Sequence, residues 1–283
     1  MNPLVNAVRA GLSRGLIELR QTLTTPIDLW NHLLPSLIYL VVLYFTRGDT
    51  VPGTTFSLGA RTLPSLVGMT VAFSGLTTMM MSLAVEREDG TLLRAKAVPN
   101  GMLGYLVGKV TLVSSMIVIN VAIILVPGLF LLDGLAIGSV SGWLTLAWVL
   151  VLGLIATLPL GAILGSLIDN PRNGGLAILP AMALVAISGI FYPLDGYPDW
   201  LADLGRLFPV YWLGLGMRSA LLPDSMAAVE HTGSWQHLAT FGALSAWAIV
   251  GLCAAPIVLR RMARRESGSA VIARRDRALQ RAA

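Results

Sequence analysis

Charge is what this sequence has least of. Only 12% of its 283 residues are charged, about half the share of a soluble globular domain. With 55% hydrophobic residues and a mean hydropathy of +0.74, a water-soluble fold of this length is excluded. Cysteine is nearly absent as well. Cys253 stands alone in an apolar run, so no internal disulfide can form and the redox compartment goes unread. Lysine occurs twice against 18 arginines, which reflects a GC-rich genome more than a mechanism. The three histidines, His32, His231 and His237, have no metal-ligand spacing. The first 24 residues lack the uninterrupted apolar core of a cleavable leader, so none is expected.

What is present is hydrophobic length. A membrane-crossing helix needs roughly 20 mostly apolar residues. Six stretches qualify: 27–46, 62–85, 110–132, 143–168, 175–194 and 238–259. Prolines 35, 127, 159, 180 and 256 fall inside them, which lipid-embedded helices tolerate when neighbours satisfy the freed carbonyls. The fifth is the least regular, because "SGIFYPLDGYP" breaks it near its end. The expected fold is an all-α polytopic membrane protein of one domain over residues 1–283.

Orientation follows from where lysine and arginine fall. With six spans, segments 1–26, 86–109, 169–174 and 260–283 share one side and hold 16 of the 20 basic residues. Both termini are therefore expected in the cytoplasm. Before the first span, Val5, Val8, Leu12, Leu16, Leu19 and Leu23 recur at steps of three and four, one apolar stripe on a helix over 4–24. Arg14 and Glu18 point away from it, while Arg9 and Arg20 flank it and can snorkel. That pattern suits a helix lying in the membrane interface. The tail, 260–283, is basic without a sustained apolar face, as an anchor on anionic lipid would be. Nothing aromatic accompanies it to suggest nucleic acid.

Between the second and third spans stands "EREDGTLLRAKAVP", residues 86–99. Burying its six charges would cost roughly 15–20 kcal/mol on insertion scales, so it leaves the membrane. Residues 90–97 read as a helix of two turns. Asp89 at its start and Arg94 and Lys96 near its end match the helix dipole, and Pro99 stops it. Such a helix is shaped either to be gripped by a soluble partner or simply to hold the topology.

These residues resemble the cytoplasmic loop of the type-2 ABC permease family, where Glu-Arg-x-x-Gly-Thr precedes a short helix, a proline and a Gly-Lys. Glu86, Arg87, Gly90, Thr91, Pro99, Gly108 and Lys109 match it. A second match, "SGIFYPLDGYPDWLADLGRLFPVYW", is similar to the family's segment after the fifth span, with Ser188, Gly189, Pro193, Pro198, Trp200 and Pro209 in register. In the family that segment dips back into the membrane as short outer-side helices. The pattern is also similar to that of daunorubicin-resistance-type exporter permeases. The resemblance implies a permease in the cytoplasmic membrane of a bacterium, paired with a second permease chain and two copies of a separate ATPase. It also implies that residues 90–97, with Glu86, Arg87, Gly90, Thr91, Arg94 and Pro99, couple to that ATPase. ATP and magnesium would then sit on the partner, and no cofactor on this chain.

Other patterns carry less. "NGMLGYLVGKV" departs from a phosphate loop: the glycine and lysine are misspaced, and Val110 stands where Ser or Thr should bind magnesium. No acid or histidine lies deep in a span to relay protons. Asn120 is the one amide at depth, suited to a helix-to-helix hydrogen bond or to substrate contact. "GAILG", 161–165, is a close-packing pattern expected within one chain. "GLSRG", 11–15, matches the hydrolase nucleophile elbow but lacks the strand before it. Asp195, Asp199 and Asp203 recur every four residues and could serve a membrane-embedded, magnesium-dependent enzyme. Pro198 interrupts them, and an amphipathic outer helix with Trp200, Leu201, Leu204, Leu207 and Phe208 on its apolar face accounts for them better. A non-transporting scaffold is the third reading. The span walls, apolar but softened by Ser74, Thr77, Thr78, Ser114 and Ser115, suit an apolar or amphiphilic cargo such as a drug, a lipid or a lipid-linked glycan.

Overall fold

The computed structural model describes residues 2–51, 55–168, 174–190 and 194–265, the side chains of Gly174, Asp195 and Arg265 excepted. Pro193 and the tail beyond Arg265 therefore lie outside the described residues. Among those described there are ten α-helices and no strand. They are α1 (Pro3–Thr24), α2 (Pro26–Thr46), α3 (Leu58–Glu88), α4 (Thr91–Lys96), α5 (Gly101–Leu131), α6 (Val140–Leu167), α7 (Gly174–Ala186), α8 (Asp199–Leu207), α9 (Pro209–Leu221) and α10 (His237–Arg265).

Five of these, α2, α3, α5, α6 and α10, are long and apolar enough to cross a membrane. The chain is an all-helical, polytopic membrane protein. Both α3 and α5 have 31 residues, about 46 Å at 1.5 Å per residue, and overhang a hydrocarbon layer of roughly 30 Å. Hence α5 begins at Gly101, earlier than the apolar run that starts at 110, because nothing in 101–109 breaks a helix once Pro99 has been passed. The fifth apolar stretch differs more. Expected over 175–194, its helix ends at Ala186 after 13 residues. Ser188 turns its hydroxyl back onto the Val185 carbonyl (2.7 Å), and Gly189 takes φ +70°, a left-handed conformation that ends the helix.

The core is built round α3, which packs on α2, α5, α6, α7 and α9. Leu63, Val67, Val71, Met79 and Leu83 lie on it fully buried. Helix α6 packs closely on α3 through 161–165, as the small-residue spacing leads one to expect. A Cβ at Gly161 would meet the Leu76 carbonyl oxygen at 2.6 Å, and one at Gly165 the Met80 oxygen at 2.5 Å. Helix α9 is buried along its whole length except Ser219, enclosed by α3, α6 and α10. Next to it, α8 presents Trp200, Leu204 and Leu207 outward as an exposed apolar stripe.

Helix α1 does not float free. Its glycines press on those of α5: a Cβ at Gly11 would lie 2.4 Å from the Gly104 oxygen, and one at Gly15 2.5 Å from the Gly108 oxygen. "GLSRG" is thus half of a glycine-on-glycine crossing. The apolar stripe, with Leu4, Val5, Val8, Leu12 and Leu16 exposed, is left on another face of α1.

Candidate functional site

The charged turn forms where α3 runs out. Gly90, at φ 78°, reverses the chain between α3 and α4. Asp89 Oδ1 accepts from the Thr91 amide (2.8 Å) and so satisfies one of the free amides of the helix's first turn. Leu92, 2% exposed, pins α4 to the bundle, while Arg94 and Lys96 face outward. Arg94 donates to the Thr91 hydroxyl (3.0 Å). After Pro99, Asn100 adopts φ 55° and starts α5. The helix spans Thr91–Lys96, one residue shorter at each end than 90–97, because Gly90 serves as its left-handed cap.

Behind this turn, the two residues that open it point inward. Arg87 is buried and donates through Nη1 to the carbonyls of Ser166 (2.9 Å) and Ile168 (2.9 Å). These are orphan carbonyls at the C-terminal end of α6, where a cation also complements the helix dipole. Glu86 meets Lys109 of α5 through Oε1 (2.5 Å). Lys109 pairs in turn with Glu18 Oε2 of α1 (3.0 Å), and Glu18 Oε1 takes Arg14 Nε (2.7 Å). The Arg14 guanidinium also lies over the Tyr105 ring, 5.6 Å from its centroid, in cation–π range. The Tyr105 hydroxyl and Glu86 Oε2 are buried side by side outside hydrogen-bonding geometry. Burial opposes the charge on Glu18, but the hydrogen bonds from Arg14 and Lys109 outweigh it and hold its carboxyl below the usual range. One charge cluster therefore ties α1, α3 and α5 together within a turn of the α4 connection.

The six residues singled out here divide accordingly. Glu86 and Arg87 lock the base, whereas Gly90, Thr91, Arg94 and Pro99 shape the projecting piece. A recess of about 430 Å³ opens between α4 and α1, and its charged lining residues are Arg14 and Arg94.

At the opposite end of the bundle the second motif is also split. Ser188 is buried and Gly189 turns beneath Leu194. Pro198 precedes α8, Trp200 is 68% exposed on it, and Pro209 opens α9. Asp199 and Asp203 are exposed on α8, with Asp203 3.8 Å from Arg206. Among the described residues no three His, Cys, Asp or Glu side chains gather as a metal site would require.

Sequence reasoning passed over one buried pair here. Arg218, at the end of α9 and 1% exposed, forks onto Glu230 through Nε (2.7 Å) and Nη2 (2.8 Å), while Nη1 reaches Ser65 Oγ on α3 (3.3 Å). A lone arginine inside "YWLGLGMRSALL" was the available signal. Deeper in the bundle, Ser36 Oγ of α2 donates to Asn120 Oδ1 of α5 (2.8 Å), a helix-to-helix bond.

The model of a family described as "ABC-2 family transporter protein" matches residues 47–257. Two similar proteins, from the CDC 1551/Oshkosh and H37Rv strains of Mycobacterium tuberculosis, are each named "Probable doxorubicin resistance ABC transporter permease protein DrrC". Each is 23% identical over 223 residues, covering 75% of this chain and 78% of its own length.

Proposed function

The chain belongs to the ABC-2 family of transporter proteins and is a permease of the ABC exporter type, and from that premise we propose that α4 is the handle by which a separate ATPase moves it. The observation that carries this is the division of the charged turn. Its outer half, α4 with Arg94 and Lys96, projects from the bundle on a single buried anchor, Leu92. Its inner half, Glu86 and Arg87, is bonded to α5 and to the end of α6, and through Lys109 to Glu18 of α1. A push on α4 is thereby delivered to four helices at once, through groups with little freedom to yield. ATP binding to the partner then biases a two-state membrane element. ATP and magnesium belong to that partner. The recess beside Arg14 and Arg94 offers it a second, positively charged hold.

The topology we favour has six crossings with both termini in the cytoplasm. Helix α2 follows directly from α1, which packs beside α5 and Lys109 at the α4 end of the bundle. Helix α10 returns to that end, where it meets α4 and carries Arg260, Arg261 and Arg264. Ends on one side call for an even number of crossings, and we take α7, a half-crossing of 13 residues and about 20 Å, with the segment after it as the sixth beside the five long helices. The segment from Ser188 through α9, with Gly189, Pro198, Trp200 and Pro209, is the outer gate. The functional unit pairs this chain with a second permease of like kind. Its cargo is apolar or amphiphilic, a drug, a lipid or a lipid-linked glycan. Two relatives are named for doxorubicin resistance, which supports including drug-like amphiphiles in that range.

The test is purification of the tagged chain from its native host in mild detergent. An ABC ATPase should co-elute at about one copy per permease, and should be lost when residues 91–96 are replaced by a Gly-Ser linker. A chain that elutes without an ATPase, or that keeps it after the replacement, sinks the handle.

A further inference from the structure

Away from α4, a partly open cavity of about 190 Å³ lies between α2, α3 and α5, beside the Ser36–Asn120 hydrogen bond. Its walls are unlike the rest of the bundle. Thr70 and Thr77 turn their hydroxyls back onto their own helix. Asn31, His32, Tyr39, Ser74 and Thr78 also line it, and among the described residues none of these five hydrogen-bonds to another. Asn31 is exposed and the other four are half-buried, so together they make a polar recess between helices, open to water at the Asn31 end and suited to water or a polar ligand. At roughly 30 Å³ per molecule, about six waters would fill it.

The lining also says what kind of ligand. No Asp, Glu, Lys or Arg borders the cavity, and its ionisable groups are His32 and Tyr39. A charged head group would enter without a counter-charge, at a cost of several kcal/mol. Neutral hydroxyls and carbonyls would meet donors and acceptors on three walls. The way in is present too. His32, Thr77 and Thr78 are shared with a wider cleft of about 460 Å³ between α2, α3 and α7, which opens toward the α4 end. Met81, Val85 and Ile178 give that cleft an apolar side, and its one carboxylate, Glu86, is already held by Lys109.

We propose that this cavity binds the neutral, hydroxyl-rich head of an amphiphile of glycoside type, whose apolar tail lies along Met81, Val85 and Ile178. The proposal rests on the exporter reading for the ligand's being cargo, and narrows the class of that cargo. The site is carried within one subunit, between α2, α3 and α5.

The experiment uses the full chain in nanodiscs with Cys253→Ser to remove the exposed native thiol. Thr78→Cys and Ser74→Cys are made one at a time, each close to isosteric. A small, neutral, water-soluble maleimide is applied with octyl β-glucoside, octyl phosphate or octyltrimethylammonium, each below its micelle concentration. Both thiols should label within minutes, since a wet site lets them ionise, and the glucoside should slow labelling at least fivefold while the two charged chains do not. The lipid-facing control Val118→Cys should stay unlabelled. Thr78→Cys and Ser74→Cys as inert as that control, or equal protection by all three amphiphiles, would overturn the proposal. Because labelling needs neither nucleotide nor transport, glucoside protection in a chain without ATP-driven export would uphold the cavity and remove the exporter reading instead.

Discussion

Removing Lys109 should do far more harm than removing either of its partners. Its ammonium, 5% exposed, sits between Glu18 Oε2 at 3.0 Å and Glu86 Oε1 at 2.5 Å. Lys109→Met leaves two part-buried carboxylates facing one another, and stripping one member from a buried charge cluster costs about 3–5 kcal/mol. Glu86→Gln leaves Lys109 still paired with Glu18 and retains a hydrogen-bonding amide, so about 1–2 kcal/mol is expected. The double variant Lys109→Met/Glu86→Gln keeps the Arg14–Glu18 pair and removes the facing charge. It should therefore be more stable than Lys109→Met alone. Thermal unfolding in detergent at one fixed scan rate, followed by tryptophan fluorescence, reads the order. At roughly 2–4 °C per kcal/mol for chains approaching this size, Lys109→Met should fall by about 6–20 °C. The pH dependence should invert as well. In the native chain the lowered Glu18 carboxyl contributes stability that is present above its unfolded pKa and lost as pH falls through the folded one, beneath the usual carboxylate range. In Lys109→Met, acidification from pH 7 to 5 should instead narrow the deficit, because protonating either carboxylate ends the repulsion. Equal losses for the two single variants, with no rescue in the double, would refute the cluster as described.

Three further outcomes follow from the same geometry. Glu230→Gln should destabilise by about 3–5 kcal/mol by leaving buried Arg218 short of its counter-charge, whereas Arg218→Leu/Glu230→Leu should cost distinctly less; the same thermal scans compare them. Gly15→Val should dislodge α1, since its Cβ would lie 2.5 Å from the Gly108 carbonyl, and expose the α1–α2 junction to limited proteolysis, while Gly242→Ala, with open space around it, should not. Arg94→Glu should reduce ATPase co-purification at least tenfold without moving the unfolding temperature, because Arg94 is exposed on α4 and bonds only locally.

Much of the architecture was legible because it depends on neighbours along the chain. Apolar runs marked the long helices. The three-and-four spacing of Val5, Val8, Leu12 and Leu16 marked α1, and the same periodicity placed Trp200, Leu204 and Leu207 on one face of α8. Asp89 and Pro99 bracketed α4 through local cap and turn chemistry, whereas Gly90, expected as its first residue, became its left-handed cap. Where local signals compete, the reading slipped: hydropathy carries on past Ala186, but Ser188 and Gly189 end α7 there. "GLSRG" meant little until its partner "GYLVG" lay across it, since a close-packing motif is completed only by the surface it meets.

By itself, then, the sequence determined the class of this protein, its helices, and the place where charge must leave the membrane, since each follows from transfer of short segments between water and lipid. Only the tertiary structure decided what the charges do. Arg87 is separated by about eighty positions from the carbonyls it caps, Glu18 by 91 from Lys109, and Arg218 by 153 from Ser65. Those pairings, and the polar cavity between α2, α3 and α5, exist because packing brings distant helices within about 3 Å. No period along the chain encodes which cation a given carboxylate will meet.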